Sequence, residues 1–130
     1  MDAVLLDTDV FSYLLKRGDA RGDPYRPHVR DKTVAISFVT VGELFYGAEK
    51  KGWGQAKRQA LEERLRAVVI VPFDLDVCRE YAILSNLKTP DGVQRSIAAN
   101  DRWIAASAIR HGLPLISNNR RHFEGSRASR

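Results

Sequence analysis

Four short, unbroken apolar runs punctuate the chain: residues 3–6 (AVLL), 34–38 (VAISF), 68–72 (VVIVP) and 114–117 (PLIS). The first is too brief and too continuous to be one face of a helix; it and the second suit strands buried in a parallel sheet, while the third, stopped by Pro72, and the fourth, opened by Pro114, read as further strands. Helical spacing fills the intervals. "TDVFSYLLK" (8–16) sets Val10, Phe11, Leu14 and Leu15 on one side, with Thr8 or Asp9 able to cap it. "TVGELFYGAEKKG" (40–52) predicts a helix with Thr40 near its cap and Glu43 in its first turn, broken by Gly52 and Gly54 around Trp53. "QAKRQALEERLRAV" (55–68) gathers Ala60, Leu61, Leu65 and Val68 on one face. Further helices are expected over 75–88 and 97–111, the second ended by Gly112. The stretches 17–27 and 88–96 read as loops, and 118–123 (NNRRHF) as a last helical turn.

Strands alternating with helices imply an α/β domain with a mostly parallel sheet and helices on both faces. Right-handed connections place every strand-to-helix loop on one sheet edge, where sites form in such folds. At 130 residues one domain is expected, and the 44% hydrophobic and 28% charged content is that of a soluble globular chain. A lone Cys78, in an apolar-looking run, excludes an intrachain disulfide and reads as a buried core thiol. No apolar run approaches the ~20 residues of a membrane span and no leader pattern opens the chain, so no membrane association and a cytoplasmic location are expected. The net charge of +5 favours polyanionic partners, nucleic acid first, although part of the excess lies in the arginine-rich last eleven residues.

The run "VLLDTD" carries the first strand straight into Asp7 and Asp9. Asp7 falls on the functional edge. Glu43 begins the helix after the second strand, and Asp101 stands early in the otherwise apolar "AANDRWIAASAI". Ser117, Asn118 and Asn119 reach the rim after the last strand. Three carboxylates in one cleft push at least one pKa up, and a divalent cation relieves that repulsion. Hard oxygen donors suit Mg²⁺ or Mn²⁺, which can generate a nucleophile from water and neutralise a phosphodiester in transit. His28, His111 and His122 are too scattered for a zinc set, and no Ser–His–Asp or Cys–His arrangement stands out. Plainer roles exist for each residue: a helix cap for Asp7 and Asp9, a dipole partner for Glu43, a solvated first-turn acid for Asp101, a turn residue for Asn119. Their common edge favours a shared purpose.

At these residues the chain resembles the PIN-domain ribonucleases, specifically VapC-like toxins of bacterial toxin–antitoxin pairs. The matching stretches are "LLDTDVFSYLLK", "ISFVTVGELFYGA", "AANDRWIAASAIRHGLPLISNN" and "RRHF", in the family's order and covering nearly the whole chain. The resemblance implies a three-layer α/β/α PIN-like domain over residues 1–124, with a central, mostly parallel sheet of four or five strands. Residues 125–130 would be a tail outside it, disordered or foreign. It implies a metal-dependent endoribonuclease in which Asp7, Glu43 and Asp101 hold Mg²⁺ or Mn²⁺ and Asn119 is a fourth catalytic residue. Ser117 and Thr40 match hydroxyl positions beside the site. Asp9 stands where many relatives carry Asn or Ser, and with Asn119 would orient waters around the ion. Structured RNA, often tRNA, would be the substrate; a cognate antitoxin and a second copy of the chain would be the partners.

An acidic site repels RNA, so Lys16, Arg17, Arg21, Arg26, Arg102, Arg120 and Arg121 are candidates for the compensating charge. Phe45 and Trp103 read as packing residues, Tyr46 and Trp53 as parts of an interface. Two other readings have some support. "VLLDTDVF" and "PLISN" resemble motifs of haloacid-dehalogenase-type phosphatases, with Asp7 as nucleophile and Asp9 as acid–base. The later lysine and acidic pair of that chemistry have no room, and Glu43 and Asp101 would have no role. A noncatalytic RNA-binding module would do better without the acidic set.

Overall fold

The computed structural model describes residues 2–87 and 98–118. Along it run β1 (Ala3–Leu6), α1 (Thr8–Leu15), a 3-10 turn (Ala20–Gly22), α2 (Arg26–Val29), β2 (Thr33–Ser37), α3 (Phe38–Lys50) and α4 (Gln55–Arg66). Then follow β3 (Val69–Val71), α5 (Leu75–Ser85), α6 (Ala99–His111) and β4 (Leu115–Ile116). The four strands pair in the order β3-β2-β1-β4, every pair parallel.

Alternation along the strands divides the core into two faces. Leu5, Ala35, Val71 and Leu115 pack with Val77 and Leu84 of α5 and Ile104, Ala105 and Ala108 of α6. Val4, Leu6 and Ile36 pack with Val10 and Phe11 of α1, Ala48 of α3 and Leu61 and Leu65 of α4. The result is the expected three-layer α/β/α architecture. Small residues along α6 let it lie close to the sheet and to α5. Trp103 stacks on Tyr81 with ring centroids 3.8 Å apart, as a packing residue.

Several local expectations change. Asp7 rather than Thr8 or Asp9 caps α1. Ser37 caps α3, so that helix starts two residues early and Glu43 falls in its second turn, away from the N-terminal dipole. The loop 17–27 contains the 3-10 turn and leads into the one-turn α2, with Pro27 near its start. In α3 the core side is taken by Val41, Leu44 and Ala48, which turns Phe45 outward to 42% exposure. In α5, Val77, Tyr81 and Leu84 face inward and leave Cys78 only half-buried. Ala60 is exposed, one position off the Leu61–Leu65 stripe. The expected loop 88–96, Asn119, Arg120, Arg121, the remainder of the 118–123 turn, the boundary at 124 and the tail 125–130 lie outside the described residues. Among the described residues no helix is long and apolar enough to cross a membrane.

Candidate active site

Asp7 follows β1 directly and is 2% exposed. Its Oδ1 accepts the Val10 N–H at 2.8 Å, closing the first turn of α1. Because β4 runs parallel to β1 with Leu6 beside Ile116, the next residues of β4 arrive against Asp7. The Ser117 hydroxyl donates to Oδ2 at 2.7 Å and the Asn118 N–H at 3.0 Å. Burial pushes the Asp7 carboxyl above its ordinary value, against the lowering effect of the Val10, Ser117 and Asn118 donors; the negative Asp9 adds to the rise. A positive charge alongside would hold it ionised.

Glu43 is held from the neighbouring helix. The Thr8 hydroxyl donates to its Oε1 at 2.6 Å and lies 3.0 Å from the Thr40 hydroxyl. Thr8 has one proton and spends it on Glu43, so Thr40 supplies the proton of the second bond. Thr40 is fully buried. The residue between Asp7 and Asp9 thus couples the start of α1 to the early turns of α3.

Asp9, Glu43 and Asn100 line one cleft of about 980 Å³ between α1 and α3, with Lys16, Arg21 and Lys51 on its walls. Asp101, half-buried, follows Asn100 in the first turn of α6. Among the described residues no three His, Cys, Asp or Glu side chains gather as a metal-ligand group. Asp7 is engaged by Val10, Ser117 and Asn118, and Glu43 by Thr8. The donor chemistry nonetheless fits a hard divalent ion, being all carboxylate, amide and hydroxyl oxygen with neither thiolate nor imidazole.

The candidate cations divide. Arg21 grips Asp19 at 2.7 and 3.1 Å, drawing that carboxyl down to about 2, and lies over the Tyr13 ring. Arg26 pairs with Asp23, and Arg102 faces α5, bonding the Tyr81 and Ser85 hydroxyls. Lys51 was missed by sequence reasoning, as were Thr8, Tyr13 and Tyr25. The Tyr25 hydroxyl donates to Asn118 Oδ1 at 3.1 Å. The position of Thr8 between two acids was a usable signal; nothing in the chain order joins Tyr25 to a residue 93 positions away.

The family model for the PIN domain matches residues 4–126. The chain belongs to the PIN-domain family. It is homologous to the VapC ribonuclease toxins of toxin–antitoxin systems, which sets aside the dehalogenase comparison. It is 33% identical over 121 residues to Ribonuclease VapC2 of Haemophilus influenzae, covering 92% of this chain and 89% of that one. It is 27% identical over 120 residues to the tRNA(fMet)-specific endonuclease VapC of Shigella flexneri, with 92% and 89% covered. VapBC-5 of Mycobacterium tuberculosis, solved as a member of the VapBC family of toxin–antitoxin systems, superimposes with a TM-score of 0.68 at 26% identity, covering 99% of this chain and 94% of that one. Within this PIN fold the carboxyl edge of the sheet collects Asp7, Thr8, Asp9, Ser117 and Asn118, with Thr40 and Glu43 reached through Thr8.

Proposed function

We propose that this PIN-domain protein is a divalent-metal-dependent endoribonuclease, the toxin of a toxin–antitoxin pair, that hydrolyses phosphodiester bonds in structured RNA, tRNA first among them. One observation carries the reading beyond family membership: a carboxylate buried at the junction of β1, α1 and β4, held by three donors yet pushed up in pKa. Asp7, Glu43 and Asp101 would hold Mg²⁺ or Mn²⁺. A divalent ion there supplies a nucleophilic water at neutral pH and offsets charge on the phosphodiester.

The chain's own residues do the rest. Ser117 and Asn118 fix the Asp7 carboxylate; Thr8 and Thr40 fix Glu43; Asp9 and Asn119 order the solvent near the reacting phosphate. Lys16, Arg21 and Lys51 offset the repulsion between cleft and RNA, so binding weakens steeply as salt rises. The tRNA preference rests on the tRNA(fMet) specificity of the Shigella relative, and the cognate antitoxin on VapBC-5, a member of the VapBC family of toxin–antitoxin systems. The protein would act in the cytoplasm as a homodimer; Tyr46, 67% exposed, is available to an interface.

The test is incubation of the purified chain with total tRNA in Mg²⁺ or Mn²⁺, with and without a chelator. Discrete fragments that vanish with the chelator and with Asp101→Asn support the reading. Cleavage indifferent to both contradicts it.

A further inference from the structure

Asn118 stands between groups from distant parts of the chain. Its main-chain N–H donates to Asp7 Oδ2 at 3.0 Å. Its side-chain Nδ2 faces Asp9 Oδ2 and the Tyr13 hydroxyl, each at 3.4 Å, while Oδ1 accepts the Tyr25 hydroxyl at 3.1 Å. One residue therefore meets both acids of Asp7-Thr8-Asp9, the first through its backbone and the second through its amide.

An amide has two ends, and only one is compatible with a carboxylate. Turned over, Asn118 would present its carbonyl oxygen to Asp9 and repel it. The Asp9 carboxylate therefore sets which end faces it, and a phenol that donates to Oδ1 from the other side holds the amide in that orientation. Tyr25 is well suited to that part: burial and the nearby Asp7, Tyr13 and Asp9 raise its pKa, so it keeps its proton. The segment that carries Tyr25 is seated firmly on α1. Gly22 lies buried where a Cβ would meet Leu14 Cδ2 at 3.0 Å and Arg26 Nη2 at 3.1 Å, and the Tyr25 and Tyr13 rings stack 6.4 Å apart, inclined at 29°.

We propose that Tyr25 is a positioning residue for the acidic cleft: through Asn118 it aims an amide donor at Asp9 and holds that carboxylate at the cleft mouth for a divalent cation. The purpose, though not the hydrogen bonds, rests on the nuclease reading above.

The experiment measures Mn²⁺ binding to the full chain by titration calorimetry without RNA, alongside tRNA cleavage and melting temperature. Tyr25→Phe keeps the ring and its packing and deletes only the donor. It is expected to weaken Mn²⁺ binding about 2- to 10-fold, the size of one hydrogen bond, with the melting temperature lowered by no more than about 5 °C. Asn118→Ala is expected to lose at least as much, and the Tyr25→Phe/Asn118→Ala pair no more than Asn118→Ala alone. In an Asp9→Asn background Tyr25→Phe should change nothing further. Unchanged Mn²⁺ affinity in Tyr25→Phe, additive losses in the pair, or an equal loss without the Asp9 charge would each overturn the assignment. A wild type that binds Mn²⁺ and leaves tRNA intact overturns the nuclease reading alone, with the role of Tyr25 still measured by the titration. A wild type that binds no Mn²⁺ overturns both.

Discussion

Asp7 and Asp74 cap helices in the same manner and live under opposite electrostatics. Each follows a strand, and each accepts the N–H three residues on, from Val10 at 2.8 Å and from Val77 at 2.9 Å. At Asp74, half-exposed, the Val77 N–H and the Arg110 guanidinium at 3.1 Å outweigh desolvation and hold the carboxyl below its usual range. At Asp7 desolvation wins over three donors and the carboxyl rises. The junction between them, β2 into α3, is as buried as Asp7 and closes with a hydroxyl: Ser37 accepts the Val39 N–H at 3.1 Å. A buried strand-to-helix turn in this fold therefore needs no charge. Burial disfavours the charged form of Asp7 relative to the neutral one, and under the proposed function that charge has a chemical use.

The largest expected effect separates the acids proposed for the site from Asp74 by activity. Glu43→Gln and Asp101→Asn should each lower tRNA cleavage by about 100-fold or more, since even residues that merely support metal ligands are worth roughly 10- to 100-fold. Asp74→Asn should stay within about twofold of wild type under the same assay, a change too small to involve the reacting groups. A cleavage loss in Asp74→Asn as large as in Glu43→Gln would erase the distinction.

Next in size is the cap itself. Ser37→Ala removes a buried hydroxyl acceptor and should lower unfolding free energy by about 1 kcal/mol in denaturant melts. If it costs nothing, the claim that a hydroxyl suffices there loses its footing.

The pH dependence of stability should then run in opposite directions. A carboxyl lowered by folding contributes stability above its unfolded pKa and loses it as pH falls through the folded value. Asp74→Asn should thus fall behind wild type as pH rises from 3 to 7. A carboxyl raised by folding is favourable below the unfolded pKa and a burden once pH passes the folded one, so Asp7→Asn should gain on wild type over the same range. Urea melts at four or five pH values read both slopes; slopes of the same sign would refute the contrast. The smallest effect is at the cleft wall, where Arg21→Ala should reduce the salt dependence of RNA binding by about one unit of log–log slope.

Much of this organisation was legible beforehand, for identifiable reasons. The central strand announces itself because a strand buried on both faces must be continuously apolar, as in Val4-Leu5-Leu6, whereas β3 is equally apolar with Val69 and Ile70 exposed at the sheet edge. The placement of Asp7 and Ser117 on one edge follows from parallel topology alone. Glu43 was placed in a first helical turn because Phe38 was read as strand; with Ser37 as cap the helix starts two residues earlier and the dipole argument for Glu43 disappears. Phe45 was misplaced for a related reason, since Val41, Leu44 and Ala48 already fill the inward stripe. The couplings of Thr8 to Glu43 and Tyr25 to Asn118 were not legible, because hydrogen bonds between side chains 35 and 93 positions apart leave no periodicity to detect.

Replacing Asp7 by the residue that nature uses at the neighbouring junction is the most direct trial of the account. Asp7→Ser keeps an acceptor for the Val10 N–H and removes the charge together with the oxygen that Ser117 and the Asn118 N–H address. Chelator-sensitive tRNA cleavage should drop by about 100-fold or more while a cooperative melt at pH 7 shows the protein still folded. Cleavage at the wild-type rate in a folded Asp7→Ser protein would mean that the buried carboxylate was a helix cap and nothing else.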